Sequence, residues 1–425
     1  FGEEALLSFQ NRPGVLTLQS ASANARSALA ELRGNFSCMS DKGLISVSNG
    51  RFSFAGVEAD GDAQLFKDGE SLAYKGTISA RCKDAARVTD FAGAGSKRLL
   101  SGLRSISLTA DVRGNMQEIA FDNLHAVIDA ISLRGSVFAA FHNQTSFEFN
   151  LAVEEFAFDR FFQGNGAAST NTTGTPWDLR ALRDVRAKGM LRVGRLKLRH
   201  FLLQDVNIPV ALDNGRLTAD PLTARVYGGS LTGKSILEFA RGLRFESGFS
   251  VKGADLEAAS RDISSSALLG GKMDFTLNLA GLLTGVGPAS QSLNGSWRFA
   301  VRSGSYQKLD KNGQPKGKAT LFDSARASGD IRAGVSRGND FVLRGNDLVM
   351  RGGGLVDFNN DTLNCDFVIN MKNLPDIPVR LHGSFRDSKT TVSVGKVILN
   401  TLGGISKGIF DIFGDVVQGA WKLIR

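Results

Sequence analysis

The chain has 425 residues, of which 42% are apolar, and a formal net charge of +9. This apolar share is ample for a buried core and excludes a wholly disordered chain. The basic residues are dispersed and are not interleaved with aromatic residues, which excludes nucleic acid as a partner. A diffuse positive excess is better suited to an anionic membrane surface.

Glycine is abundant and proline is scarce, with 49 and 8 residues respectively. Glycine supplies the positive φ angles of tight turns, whereas proline removes hydrogen bonds from a strand ladder. The combination is typical of many strands joined by short turns. The chain also has 29 Phe but only 3 Tyr and 3 Trp. Phe has no polar atom to satisfy when buried, so its excess fits either an ordinary core or a continuous apolar lining.

Turn dipeptides recur along the chain, and each predicts a β-hairpin. They are Asn49-Gly50, Asp60-Gly61, Asp68-Gly69, Asn214-Gly215, Asn294-Gly295 and Asn312-Gly313. Apolar and polar residues alternate between them, which is typical of strands with one buried face. The pattern predicts a mainly β fold: an elongated, strongly curved antiparallel sheet whose apolar face is an open groove. Short helices are expected at 97–103 and within 255–269.

Residues 164–178 are polar and of low complexity, which predicts a flexible linker. The linker separates an N-terminal part of the groove, residues 1–163, from a second part, residues 179–395. The apolar period changes to 3.6 residues after that. Residues 396–425 are therefore predicted to form a C-terminal amphipathic helix.

The C-terminal helix allows two interpretations. It either packs over the end of the sheet or lies in a membrane interface, which aromatic residues on its apolar side would favour. The candidate membrane-contacting residues are Ile405, Ile409, Phe410, Ile412, Phe413, Val416 and Trp421.

One segment, residues 228–235 (GGSLTGKS), formally matches the P-loop pattern. In a P-loop the lysine lies at the start of a helix. Here apolar and polar residues alternate after the lysine, as in a strand, and Gly242 follows within two turns. We therefore expect no nucleotide site. The four histidines are far apart, and paired carboxylates such as Glu154-Glu155 point to opposite faces of a strand. The sequence predicts no enzyme, no catalytic residue, no metal site and no cofactor.

Three cysteines, Cys38, Cys82 and Cys365, have no metal-binding spacing. Cys38 and Cys82 could form one disulfide, which would leave Cys365 as a buried thiol. Independent buried thiols are the alternative.

Three blocks of the sequence together resemble the AsmA family, whose relatives include TamB-like, bridge-type lipid transfer proteins. The first block is 124–162, with the ending FAFDRFF. The second is 177–239, where Val226-Tyr-Gly-Gly229 precedes Gly233. The third is 347–383, which contains Gly353-Gly354. The likeness covers most of residues 85–395, and the P-loop match lies inside its second block.

The resemblance implies a non-enzymatic envelope protein of outer-membrane biogenesis that conducts phospholipid, or another envelope lipid, between membranes along the groove. The alternative is a periplasmic scaffold that assists protein or lipid assembly without carrying lipid. Further envelope proteins are expected as partners. The chain begins at Phe1 in mid-pattern, so we expect a periplasmic protein anchored to the inner membrane by a preceding helix.

The candidate groove residues lie in strands in which apolar residues alternate. They are Val193, Val226, Phe245, Phe249, Phe341 and Leu343. An acyl chain against such residues gains about 0.8 kcal/mol for each CH₂ group removed from water.

Overall fold

The structure is a computed structural model. It describes residues 12–21, 27–39, 44–54, 57–69, 71–82, 105–129, 131–142, 144–157, 183, 185–198, 201–239, 242–263, 267–282, 289–310, 314–384 and 388–392. The predicted linker at 164–178, the predicted helix at 97–103 and the predicted C-terminal helix at 396–425 lie outside these residues.

The described residues contain 22 strands, one α-helix and one short 3-10 helix. The strands are β1 (Arg12–Ala21), β2 (Ser27–Met39), β3 (Leu44–Phe54), β4 (Val57–Asp68), β5 (Ser71–Cys82), β6 (Ile106–Asn115), β7 (Glu118–Ile128), β8 (Ile131–Phe141), β9 (Thr145–Ala157), β10 (Arg186–Leu198), β11 (Phe201–Asp213), β12 (Arg216–Val226), β13 (Gly229–Glu238), β14 (Arg244–Asp255), β15 (Ala267–Leu282), β16 (Asn294–Leu309), β17 (Pro315–Arg332), β18 (Val335–Arg344), β19 (Leu348–Asp357), β20 (Thr362–Met371), β21 (Ile377–Ser384) and β22 (Ser388–Val392). The helices are α1 (Leu256–Ile263) and the 3-10 helix Ala289–Ser292.

The predicted class, mainly β with an open antiparallel sheet, is confirmed. The chain divides into two compact units. The first contains residues 1–156, 175–194 and 207–217, and the second contains the remainder. Strands β1 to β9 pair antiparallel in chain order within the first unit. Strands β13 to β22 do the same within the second.

Strand β20 shows why these sequences form strands. Leu363, Cys365, Phe367 and Ile369 are all buried, whereas the residues between them are exposed. Successive side chains of a strand point to opposite faces, so a period of two places every apolar residue on one side. This alternation fixes the register, because a slip of one residue would expose the whole apolar set.

Two of the six turn dipeptides lie where the sequence predicts. Asp68 ends β4 and Gly69 follows it in a turn, and Asn214-Gly215 joins β11 to β12. Asn214 and Gly215 have φ angles of 49° and 70°. These are the left-handed values that a two-residue hairpin turn requires at both central positions. Asn312-Gly313 lies outside the described residues.

The hairpin prediction is wrong at three other dipeptides, which lie inside strands. Asn49 has a φ of 54° and marks a β-bulge in β3 rather than a turn. Gly61 lies within β4, where a Cβ atom would collide with the carbonyl oxygen of Thr77. Gly295 in β16 likewise approaches the backbone of Asn278. Glycine at these two positions permits close contact between strands rather than a reversal of the chain.

Several bulges are stabilised by an aspartate on the neighbouring strand. Its carboxylate accepts a hydrogen bond from a backbone amide of the bulge. The pairs are Asn49 with Asp62 (2.8 Å), Gly253 with Asp274 (2.8 Å) and Ser328 with Asp340 (2.7 Å). A bulge leaves one residue outside the ladder, so its amide needs another acceptor. The aspartates supply that acceptor and thereby hold the local bend of each strand.

Asp340 is expected to stabilise the protein near neutral pH and to lose this effect in acid. Its partial burial would raise the carboxyl pKa, but hydrogen bonds from Ser328 outweigh burial and hold the pKa below its ordinary value of 3.8. A lowered folded-state pKa stabilises above the unfolded pKa and is lost as the pH falls through the folded one. Asp340→Asn should therefore lower the free energy of unfolding by less than about 1 kcal/mol near pH 7, since the site is exposed.

The measurement is urea unfolding of Asp340→Asn and the unchanged protein at neutral pH and at a pH below both pKa values. The difference between the two proteins should vanish in acid. Asp323→Asn, at an exposed position of the neighbouring strand β17, is the control and should change neither value. A difference that persists in acid would contradict a role for the carboxylate.

Helix α1 begins and ends at recognisable contacts, and it lies within the predicted range of 255–269. Asp255 caps its N-terminus by accepting hydrogen bonds from the amides of Glu257 (2.9 Å) and Ala258 (3.1 Å). The bond from Ala258 is the main reason why the pKa of Asp255 is lowered. Tyr227 donates its hydroxyl proton to Asp262 at 2.9 Å, and burial raises the pKa of this tyrosine. The Tyr227 contact joins α1 to the turn between β12 and β13.

Two cysteines have described side chains, and both are free and buried. Cys82 is therefore not in a disulfide with Cys38, and independent thiols are the correct alternative for Cys82 and Cys365. Burial raises the pKa of Cys365 to about 11. Its thiol faces the apolar side of β20, where it contributes packing rather than reactivity.

Candidate functional site

The second unit has one apolar face, which can be followed from strand to strand. Directly paired residues share a face of the sheet. Leu343 of β18 pairs with Met350 of β19, Met350 pairs with Ile369 of β20, and Ile369 pairs with Ile377 of β21. These four side chains are between 0% and 4% exposed. We call such a row of directly paired residues on neighbouring strands a rung. This rung is fully buried, so the apolar face is closed here.

The opposite face of the strands of this unit is polar. Arg302 of β16 lies 3.1 Å from Asp274 of β15, and Arg380 of β21 lies 3.5 Å from Asp366 of β20. All four side chains are well exposed. Exposed ion pairs contribute little to stability, so their main consequence is a hydrated surface. The sheet of this unit thus separates an apolar side from a polar side.

The apolar side of the second unit encloses a small cavity beside Trp297. A cavity of about 30 Å³ is lined by Trp297, Phe341, Phe367 and Cys365, among others. Trp297 donates its indole N–H to the buried Ser336 hydroxyl at 2.8 Å. This volume is sufficient for about one water molecule. It does not admit an acyl chain.

The first unit also has an apolar face, but that face is only half covered. Val112 of β6 pairs with Phe121 of β7, Phe121 with Val137 of β8, and Val137 with Phe149 of β9. All four side chains are half-buried. The outward residues of β9 between 148 and 154 are exposed. A half-buried rung of Val and Phe retains apolar area that a ligand can still remove from water.

Phe rings on these faces lie over glycines of the adjacent strand. An ideal Cβ atom on Gly352 would be 2.5 Å from the Phe367 ring, and one on Gly189 would be 2.6 Å from the Phe149 ring. Phe367 also meets Phe341 edge to face, with ring centroids 5.4 Å apart. The glycines make room for the rings. High Phe and high Gly contents are therefore two parts of one packing arrangement.

The predicted groove residues are not equivalent in the structure. Val193 is 3% exposed, Val226 is 6% exposed and Leu343 is 4% exposed, so all three are packed like core residues. Phe245 and Phe341 are half-buried and pack against the core of the second unit. Phe249 is half-buried in β14. Val193 belongs to the first unit and the other five belong to the second.

The sequence did not identify the half-buried rung of the first unit as a candidate site. A signal was present, because residues 145–153 (TSFEFNLAV) alternate with a period of two. Alternation identifies the inward face, but it does not reveal how far that face is covered. The predicted membrane-contacting residues lie at 405–421, outside the described residues.

The P-loop-like segment is a strand and its turn. Tyr227 and Gly228 have positive φ angles of 47° and 73°, and β13 then runs to Glu238. Lys234 lies 3.2 Å from the carboxylate of Asp220. The hydroxyls of Ser235 and Ser247 are 2.8 Å apart across β13 and β14. The lysine and serine side chains thus take part in cross-strand contacts.

Lys234→Ala is expected to have a small effect. The ion pair with Asp220 is exposed, so its loss should lower the free energy of unfolding by at most about 1 kcal/mol. Because the segment does not open a helix, ATP should produce no binding heat in calorimetry with either protein. Micromolar ATP affinity that disappears in the variant would contradict this interpretation of the segment.

Two further observations concern the described part of the chain. It contains no group of three or more His, Cys, Asp or Glu side chains arranged to hold a metal ion. None of the helices found there has the length and apolar character needed to cross a membrane.

No known family model matches the chain. Curated proteins and solved structures likewise give no match.

Proposed function

We propose that this protein is a non-enzymatic lipid carrier of the cell envelope, which passes phospholipid between membranes along an apolar sheet face. The observation that carries the proposal is the half-exposed rung of Val112, Phe121, Val137 and Phe149 in the first unit. The sequence resemblance to the AsmA family supports the same function, and it also supports periplasmic localisation with an inner-membrane anchor.

The dimensions of the rung suit an acyl chain. Its four strands span three interstrand spacings, or about 14 Å. One leaflet of a bilayer is about 15 Å deep in hydrocarbon. A chain laid across the strands would cover apolar side chains along most of its length. Each CH₂ removed from water contributes about 0.8 kcal/mol, while the headgroup stays in solvent.

The carrier role is assigned to the first unit only. In the second unit the equivalent face is closed by its own side chains, as the buried Met350 and Ile377 illustrate. Lipid would have to displace a packed core there, at the cost of the contacts that the core already makes. The second unit is therefore assigned a structural role.

The closed core of the second unit also supports a second candidate function, a periplasmic scaffold that carries no lipid. The two candidates differ in one measurable property. A carrier holds lipid in its apolar face after purification, whereas a scaffold does not.

The test is mass spectrometry of lipids that remain with the protein after purification without detergent. The proposal expects phospholipid at a reproducible ratio to protein, and transfer of fluorescent phospholipid between vesicles by the same preparation. Protein that is folded, free of lipid and inactive in transfer would favour the scaffold.

A further inference from the structure

One rim of the first unit has a row of exposed apolar side chains. We name this set the apolar rim, and it consists of Ile45, Leu72, Met116 and Phe141. Their exposed fractions are 44%, 47%, 86% and 52%. They comprise every exposed large apolar side chain of this unit among the residues whose burial the structure describes, which leaves out β1, β2 and residues 52–54.

Strand direction places all four residues at the same edge. Successive strands are antiparallel, so β3, β5 and β7 begin at the rim where β2, β4, β6 and β8 end. Ile45 is near the start of β3, and Leu72 is near the start of β5. Met116 lies in the turn after β6, and Phe141 ends β8. From β3 to β8 there are five interstrand spacings, so the row is about 24 Å long.

The apolar rim is continuous with the apolar face. Ile45 pairs with Leu65, and Leu65 pairs with Tyr74, which is two residues from Leu72 on the same face. The rung continues through Gly114, Ile119 and Ala139 to Phe147. Phe141 is two residues beyond Ala139 on that face. Along β5 the inward side chains change from exposed at Leu72 to buried at Ala80. The face is therefore open towards this rim.

The turn at Met116 is held in place by its neighbours. The Asn115 side chain accepts hydrogen bonds from the amides of Gln117 (2.8 Å) and Glu118 (3.0 Å). The amide of Phe141 donates to the carbonyl of Gln117 at 2.7 Å. Met116 projects from this ordered turn into water, so its side chain adds no buried apolar area to the folded protein. The exposed position of Met116 is thus unexplained by folding alone.

We propose that the apolar rim inserts into the surface of a zwitterionic phospholipid bilayer, which lets lipid move laterally between the bilayer and the apolar face. This inference rests on the proposed carrier function and adds its point of entry. The side chains of the apolar rim are spaced about 10 Å apart along the sheet edge, so each can insert separately into a deformable planar surface. A specific protein partner would need a contiguous, well-packed patch.

The net charge of the residues around the apolar rim indicates which lipid headgroups the rim can approach. Residues 40–45, 67–72, 115–118 and 141–145 contain two lysines and four acidic residues. Their net negative charge gives no attraction to an anionic surface. Binding must therefore depend on inserted apolar area, and it should be no stronger with phosphatidylglycerol than with phosphatidylcholine alone.

The test is flotation of the full chain with phosphatidylcholine vesicles, with and without phosphatidylglycerol. The combined variant Leu72→Ser, Met116→Ser and Phe141→Ser is expected to lower the vesicle partition coefficient about 1,000-fold, at about tenfold for each of the three side chains. Met116→Ser alone should lower it about tenfold. The matched control, Leu321→Ser with Leu282→Ser, removes exposed leucines of the second unit and should bind as the unchanged protein does.

Three outcomes would overturn the inference. They are no flotation of the unchanged protein, equal flotation of the rim variants, or a rim that instead holds two copies together in light scattering. Met116 is 86% exposed, so Met116→Ser should fold normally. Its vesicle binding therefore tests the inference even if the combined variant misfolds. Lipid retained by the protein is measured separately by mass spectrometry. A chain that retains lipid but fails to float would refute the rim and leave the carrier function intact.

Discussion

Aspartate in place of Ile377 is expected to unfold the second unit. Ile377 is 0% exposed and pairs with Ile369 inside the closed core. A carboxylate there loses its hydration, and the isoleucine contacts disappear, which together cost several kcal/mol. The total stability of a domain is only about 5–15 kcal/mol. The variant should be insoluble, or should lack a cooperative thermal transition for this unit in calorimetry.

The matched control for this change lies on the neighbouring strand. Val368→Asp introduces the same charge on the polar face of β20, where Val368 is 39% exposed and pairs with Arg351. An opposite charge directly across the ladder is mildly stabilising. The control should therefore melt within a few degrees of the unchanged protein. If Ile377→Asp melts there as well, the apolar side of the second unit is not a closed core.

Aspartate at both Phe121 and Phe149 is expected to deplete the first unit of lipid without unfolding it. Both rings are half-buried, so new carboxylates can stay hydrated in the lipid-free protein. An acyl chain laid over them must strip that hydration, which costs several kcal/mol. Since 1.4 kcal/mol corresponds to a factor of ten, retained phospholipid should fall at least about tenfold.

The control for lipid loss is a double variant on the other face of β9. Asn150→Asp and Ala152→Asp add the same two charges at exposed positions. Ala152 pairs with Arg134, which can accommodate the charge. Lipid retention, measured by mass spectrometry, should be unchanged in this protein. Equal retention in the Phe variant would place lipid elsewhere, and equal loss in both would point to net charge rather than to the apolar face.

The sequence predicted the class of fold well because alternation is a local property. In β20 the apolar residues at 363, 365, 367 and 369 identify a strand and its inward face without any knowledge of its neighbours. The same reasoning identified Phe245 and Phe341 as inward residues. It gave them the same status as Leu343, although only Leu343 is fully buried. The degree of burial depends on what lies opposite a face, and that is not encoded in a single strand.

Turn dipeptides were a less reliable guide, for a related reason. Asn and Gly favour positive φ wherever the backbone needs it, and a bulge needs it as much as a hairpin does. Asn49 takes a φ of 54° within β3, and Asn214 takes 49° in a true turn. The two residues are locally alike. Only the register of the adjacent strand, which places Asp62 against the Asn49 amide, distinguishes them.

The nearest-neighbour pairing of the strands has a consequence for how the protein is made. Within β1 to β9 and within β13 to β22, each strand pairs with the strands that precede and follow it in the chain. No distant segment has to arrive before a hairpin can form, so little loop-closure entropy is lost at each step. Each new hairpin can add to the edge left by the previous one, as repeats do in a solenoid. The chain can thus fold progressively as it emerges from the ribosome, without waiting for its C-terminus.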